Sequence, residues 1–164
     1  MRGRLLYRGP RLDELHQQYA KRGRIDRDAQ VQAFHSLRIE APPDQVWALL
    51  SDVPRWPAWA ATVRDVRVPE GLAVDLPFSW RIQGSKIVSR IAVLTPEREM
   101  TWTGVCSGGM AKAVHRHRLR AEGDGTVVSA EESIAGLLLP LFYSSEKLQQ
   151  SMEDWLAGLR AAAE

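Results

Sequence analysis

Between residues 62 and 134 the chain reads as six extended segments in succession, 62–68, 77–83, 86–94, 99–107, 111–121 and 126–134. They are separated by Gly71, Gly84-Ser85, Thr95-Pro96, Gly108-Gly109 and Gly123-Asp124-Gly125. Such breaks are too short for a crossover helix, so each segment must pair with the next as an antiparallel meander. An earlier segment from Val31, marked by Phe34, Leu37 and Ile39, stops at Ala41-Pro42-Pro43-Asp44, where proline ends a ladder and opens a helix. Val46, Trp47, Leu49 and Leu50 supply the buried side of that short helix, and the two prolines of Asp52-Val53-Pro54-Arg55-Trp56-Pro57-Ala58-Trp59 make the following turn a bent second helix. After Pro140, the positions Leu141, Ser145, Leu148, Met152, Trp155, Leu156 and Leu159 step by three and four, predicting one amphipathic helix to about Ala162. The fold class is α+β: a curved seven-stranded antiparallel sheet wrapped around a long C-terminal helix, with two short helices after the first strand.

With 164 residues, 45% of them hydrophobic, the chain is the size of one domain, large enough to bury about 70% of its unfolded surface. Its single cysteine, Cys106, excludes an internal disulfide and a thiolate zinc cluster. The apolar stretch near the amino terminus is shorter than the roughly 7–15 residues of a signal-peptide core, and Leu137 to Tyr143 is shorter than the roughly 18 needed to cross a bilayer. A cytoplasmic protein with no integral membrane association is expected. Residues 1–30 hold eight basic and four acidic side chains, so the net charge of +2 resides in this arm while the body is near neutral. The arm carries a helix of about twelve residues after Pro10, with Leu12, Leu15 and Tyr19 on one narrow face that either packs on the body or on a partner or orders only weakly, and residues 23–30 read as a linker to the domain at 31–164. Without interleaved aromatics the basic arm reads as a solvated extension, and nucleic acid is not an expected partner. A homo-oligomer is left open.

Strand alternation assigns faces. In 113–121 the residues after Val114 at even positions are all arginine, which assigns them to water and turns His115, His117, Leu119 and Ala121 inward. Closing 122–125 as a loop pairs Ala121 with Thr126, and the count back brings His115 opposite Glu132. An imidazole and a carboxylate meeting inside could act as a general acid/base pair or as a satisfied polar pair that orients a ligand. His115, His117 and Glu132 also have the ligand types of a two-histidine, one-carboxylate metal site, but no metal or other cofactor is expected. Trp80 and Trp102 on central strands are candidates for a ligand wall, together with Ser89, Ile91, Met110 and Met152. Trp56 and Trp59 are candidates for its mouth, and ordinary core packing is the other reading of all four tryptophans. Trp47 and Trp155 read as core, and Arg90 points to solvent.

From about residue 33 to 163 the chain resembles the SRPBCC superfamily, which includes START lipid-transfer domains, birch-pollen-allergen-like proteins and polyketide cyclase/dehydrase proteins. The resemblance rests on Ile39-Glu40-Ala41-Pro42-Pro43-Asp44-Gln45-Val46-Trp47-Ala48-Leu49-Leu50-Ser51-Asp52, Trp56-Pro57-Ala58-Trp59, Ile87-Val88-Ser89-Arg90-Ile91, Thr101-Trp102-Thr103-Gly104, Ala113-Val114-His115 and Glu131-Glu132-Ser133-Ile134-Ala135-Gly136. It implies the helix-grip fold and an elongated apolar cavity, and no metal. Some members carry a small hydrophobic or amphipathic molecule; others are cyclases, aromatases or dehydratases acting on polyketide-like substrates, for which His115 and Glu132 would exchange protons. Both expectations, carrier or sensor and enzyme, stand at this point.

Overall fold

The structure, a computed structural model, describes residues 2–164. Short helices α1 (Arg2–Leu5) and α2 (Leu12–Glu14) lead in, α2 running on through a π turn, Leu15–Tyr19, and a 3-10 turn, Ala20–Arg22. Then come β1 (Val31–Ile39), α3 (Pro43–Ser51), a 3-10 turn Val53–Ala58, and the meander β2 (Val63–Arg67), β3 (Pro77–Ile82), β4 (Ser85–Thr95), β5 (Glu99–Cys106), β6 (Ala111–Glu122) and β7 (Gly125–Gly136). The chain closes with α4 (Ser145–Ala163). The seven strands form one antiparallel sheet in the order β1-β7-β6-β5-β4-β3-β2, so the only pairing among the described residues that is not between chain neighbours is β1 with β7.

The helix-grip fold expected from the resemblance is the fold observed. α4 lies in the hollow of the sheet with Leu148, Met152, Trp155, Leu156, Leu159 and Ala163 buried. Leu156 and Leu159 are fully buried, each contributing about 1.5–3 kcal/mol of transfer free energy. The helix starts later than its periodicity suggests: Leu141 belongs to a 3-10 turn and is exposed, and Ser144 caps α4 by accepting a hydrogen bond from the Lys147 amide. α3 starts at Pro43, whose missing N–H would have had no partner at the first helical position. A bulge in β4 between Ile91 and Val93 changes the strand's phase, so Leu94 rather than Val93 packs on the inner core.

The arm packs one side on the outer face of the sheet rather than standing free in solvent. Leu15, Ala20 and Ile25 form a second hydrophobic cluster with Ala92 and Val114 on the outer face of the sheet. His16 is fully buried, its Nδ1 2.8 Å from Thr103 Oγ1 and its Nε2 2.9 Å from Asp75 Oδ1. The segment read as a linker has Ile25, Asp26 and Ala29 buried. Arg118 and Arg120 face solvent as the alternation requires, but Arg116 is covered by the arm and bonded to Glu99 at 2.8 Å and Glu131 at 3.2 Å. Its charge is compensated by carboxylates, not by bulk water. Arg90 lies on the same outer face, 3.5 Å from Asp13 of the arm.

α4 approaches the 3-10 turn so closely that a Cβ on Gly158 would stand 2.5 Å from the Trp59 carbonyl oxygen. Alanine ordinarily favours a helix by about 1 kcal/mol over glycine. Here Gly158→Ala is expected to destabilise by about 1–3 kcal/mol, because backbone must move; urea unfolding measures the sign.

Candidate functional site

Cross-strand register on the three central strands arranges the inward side chains in four rows. Cys106, Ala111 and Gly136 stand level with one another, then Gly104, Ala113 and Ile134, then Trp102, His115 and Glu132, and last Met100, His117 and Ala130. The first two rows hold small residues and one isoleucine; the last two hold three large rings, a carboxylate, a methionine and one alanine. Small side chains cannot fill the space between sheet and helix, so a cavity of ≈ 560 Å³ opens over the first two rows and ends on the third. Leu148, Met152 and Trp155, on one face of α4, form the opposite wall. Met110 in the β5–β6 connection and Phe142 after β7 line the cavity and are largely exposed, which marks the mouth.

Of the candidate ligand residues, the structure places Trp80, Trp102, His115, Met110 and Met152 on the wall, together with Glu132. Others lie behind it. Ser89 is buried and accepts a hydrogen bond from Trp80 Nε1 at 3.1 Å, fixing that indole. Ile91 and His117 are fully buried in the core beyond the floor. Trp56 does not guard a mouth: it is fully buried, its ring centroid 4.9 Å from that of Trp155 and 5.4 Å from those of Trp80 and Trp102, and its Nε1 donates to the Leu50 carbonyl. Trp59 packs edge-on against Trp155 from outside the cavity. Sequence reasoning named only part of the wall, and two of the residues it missed differ in kind. Trp155 was legible, being three residues beyond Met152 on the same face; Tyr143 lies in the irregular β7–α4 connection, where no periodicity points at it.

The expected register is observed, and the ladder runs one pair further, Glu122 with Gly125, leaving Gly123-Asp124 as a tight two-residue turn. Gly123 takes φ +62°, which glycine adopts without strain. His115 stacks flat on Trp102 at 4.5 Å. Its Nδ1 lies 3.0 Å from Glu132 Oε2 and its Nε2 3.3 Å from His117 Nε2. His117 Nδ1 is buried with no partner among the described residues. An unpaired lone pair there costs less than an unpaired N–H and avoids setting two lone pairs face to face at Glu132. The hydrogen-bond network therefore assigns the His117 proton to Nε2, donating to His115 Nε2, and the His115 proton to Nδ1, facing the carboxylate. Neither nitrogen of His115 is left open to the cavity, and Glu132 is the polar group on the floor. Because the carboxylate stands at Nδ1 and the second imidazole at Nε2, these three groups do not converge on one point, and no cluster of His, Cys, Asp or Glu suited to a metal ion is present among the described residues.

Burial holds the His117 imidazole well below its ordinary range, with the neighbouring His115 adding to the effect. Burial likewise pushes the Tyr143 phenol up to about 12, helped by the charge of Glu132, so it stays protonated. His16 on the outer face is also lowered by burial.

A curved antiparallel sheet gripping a C-terminal helix, hollow between the two, defines a helix-grip protein of the SRPBCC class. The chain belongs to the polyketide cyclase / dehydrase and lipid transport family, whose match spans residues 30–164. No curated protein matches it in sequence. Among solved structures it is similar to the hypothetical protein jhp0584 of Helicobacter pylori, with a TM-score of 0.72 at 14% identity over 84% of this chain and 90% of that one. It is also similar to the protein TTHA0849 of Thermus thermophilus, with a TM-score of 0.65 at 19% identity over 80% and 96%. Ara h 8.0201 gives a TM-score of 0.64 at 12% identity over 80% and 96%. At these identities the likeness is one of fold. No helix among the described residues is long and apolar enough to cross a membrane.

Because the native state binds a proton at His117 and His16 less readily than the unfolded chain, their contribution to stability is complete above about pH 6.5 and is lost as pH falls. Each group is expected to add up to about 1.4 kcal/mol per pH unit to the slope just below that point. Urea midpoints between about pH 7 and pH 5.5 measure it, and His117→Asn and His16→Asn should each flatten the curve.

Proposed function

We propose that this chain encloses one small hydrophobic or amphipathic molecule between sheet and helix, as a carrier or sensor. The observation that carries this reading is the ≈ 560 Å³ cavity, its wall mostly apolar and its floor carrying the Glu132 carboxylate. Its volume lies within the roughly 300–1,000 Å³ range of small-molecule sites, and a few convergent polar groups in an apolar pocket are what such sites use to fix orientation. Trp80, Trp102 and Trp155 offer flat apolar surface, and every ~100 Å² of apolar area removed from water supplies about 2.5 kcal/mol before the costs of association. Residues 31–164 hold the ligand, and residues 1–30 brace the outer face of the same sheet. A cytoplasmic setting fits the single cysteine.

A second reading, a polyketide cyclase, aromatase or dehydratase, is favoured by one feature: Glu132 and the protonated Tyr143 line the same cavity. In that case Glu132 takes the proton, Tyr143 donates to a carbonyl, and His115 is a positioning residue that holds the carboxylate. The family allows either activity.

The first reading is tested at the row of small residues. Ala113→Phe places a ring in the hollow beside Gly104 and is expected to weaken uptake of Nile red, a neutral apolar dye, by at least tenfold while the melting temperature holds or rises. Native mass spectrometry of freshly purified protein should find a co-purified molecule in the wild type and none in the variant. Equal dye uptake by both would contradict enclosure.

A further inference from the structure

The cavity floor discriminates by charge. Glu132 is the one carboxylate among the described residues that line the cavity, and no lysine or arginine lines it. The alternation that turns His115 and Glu132 inward sends the cations of the same strands outward: Lys112 bonds the Pro10 carbonyl of the arm, and Arg116 bonds Glu99 and Glu131. The imidazole beside Glu132 is committed, Nδ1 to Glu132 and Nε2 to His117. One oxygen of Glu132, Oε2, meets His115, and no side chain among the described residues hydrogen-bonds the other, Oε1, although the side chain is only 16% exposed. That oxygen opens onto the cavity with no protein donor among the described residues, and a ligand donor is its natural partner.

Resting on the reading of this cavity as a ligand site, we infer that its ligand enters apolar end outward and presents a hydrogen-bond donor, a hydroxyl or an ammonium, to Glu132, and that carboxylate and phosphate amphiphiles are rejected. An acidic head group would have to shed its water and stop beside a like charge with no cation to receive it. A hydroxyl meets no such obstacle, since it can donate to Glu132 and accept from Tyr143, whose phenol is neutral and lines the same space. An ammonium gains the charge of Glu132 directly. Selection of this kind works by exclusion: an apolar wall accepts any chain of suitable length, and the floor decides which head group can enter ahead of it.

The test uses 1-decanol, decylammonium and decanoate, which share one alkyl chain, in competition with Nile red on the wild-type protein below their micellar concentrations. Displacement by decanol and decylammonium is expected at concentrations at least tenfold lower than by decanoate. Glu132→Gln, checked for folding by its near-ultraviolet circular dichroism, should weaken decylammonium and strengthen decanoate, closing most of that gap. Decanoate competing as well as decanol on the wild type would overturn the inference while leaving the cavity reading intact. No binding by Nile red or by any of the three would overturn the cavity reading and this inference with it.

Discussion

The structure turns on a step in side-chain size along three neighbouring strands. At the open end, Gly104, Cys106, Ala111, Ala113 and Gly136 leave the inner face of β5, β6 and β7 nearly bare; two residues deeper, Trp102, His115 and Glu132 fill it, and Met100 and His117 close it. α4 runs along both regions, its first turns lining the cavity with Leu148 and Met152 and its later turns packing Leu156, Leu159 and Ala163 into the core. Close packing is the rule for protein interiors, and here it fails over the part of the sheet where glycine, alanine and cysteine dominate. A Cβ on Gly104 would stand 3.2 Å from Ile87 Cγ2, so at that position even a methyl group would make its neighbour on β4 shift.

A sheet hollow on one face needs support on the other. The arm supplies it: the cluster of Leu15, Ala20 and Ile25 with Ala92 and Val114, the His16 bridge from Thr103 to Asp75, and the ionic group of Arg27, Arg116, Glu99 and Glu131 tie the outer face across β4, β5, β6 and β7. The interior polar chain from Glu132 through His115 to His117 is the inner counterpart, running from the cavity floor into the core. Breaking either by removing one partner strands a desolvated polar group, which is why such networks hold one geometry.

Local pattern carried most of this arrangement. The arginine alternation of β6 and the glycines of the β6–β7 turn were enough to place His115 opposite Glu132, because a tight hairpin permits one register in which the arginines stay outside. The same reasoning sent Arg116 to water and was wrong there, since strand periodicity shows which face a residue takes and not what later covers that face. The arm's packing was legible only in part: Leu15 lies on the apolar face read from its spacing, whereas Ala20 sits in a 3-10 turn, Ile25 and Ala29 fall in the segment read as a linker, and His16 reads as polar although it is fully buried. Trp56 was misplaced because the two prolines around it disguise a turn folded into the core. Family likeness fixed the architecture and said little about the floor of the cavity, which depends on this chain's own Glu132 and Tyr143.

The most direct measurement is a crystal structure of the wild-type protein under xenon pressure. Xenon enters apolar hollows that water leaves empty, so it reports the space without any assumption about the natural ligand. The account predicts ordered xenon between Met152 and the Gly104–Ala113 pair, with Trp102 and His115 unmoved beneath it. Contradiction would be an interior with no xenon, in which Met152, Phe142 or Trp155 has folded into the space beside Gly104.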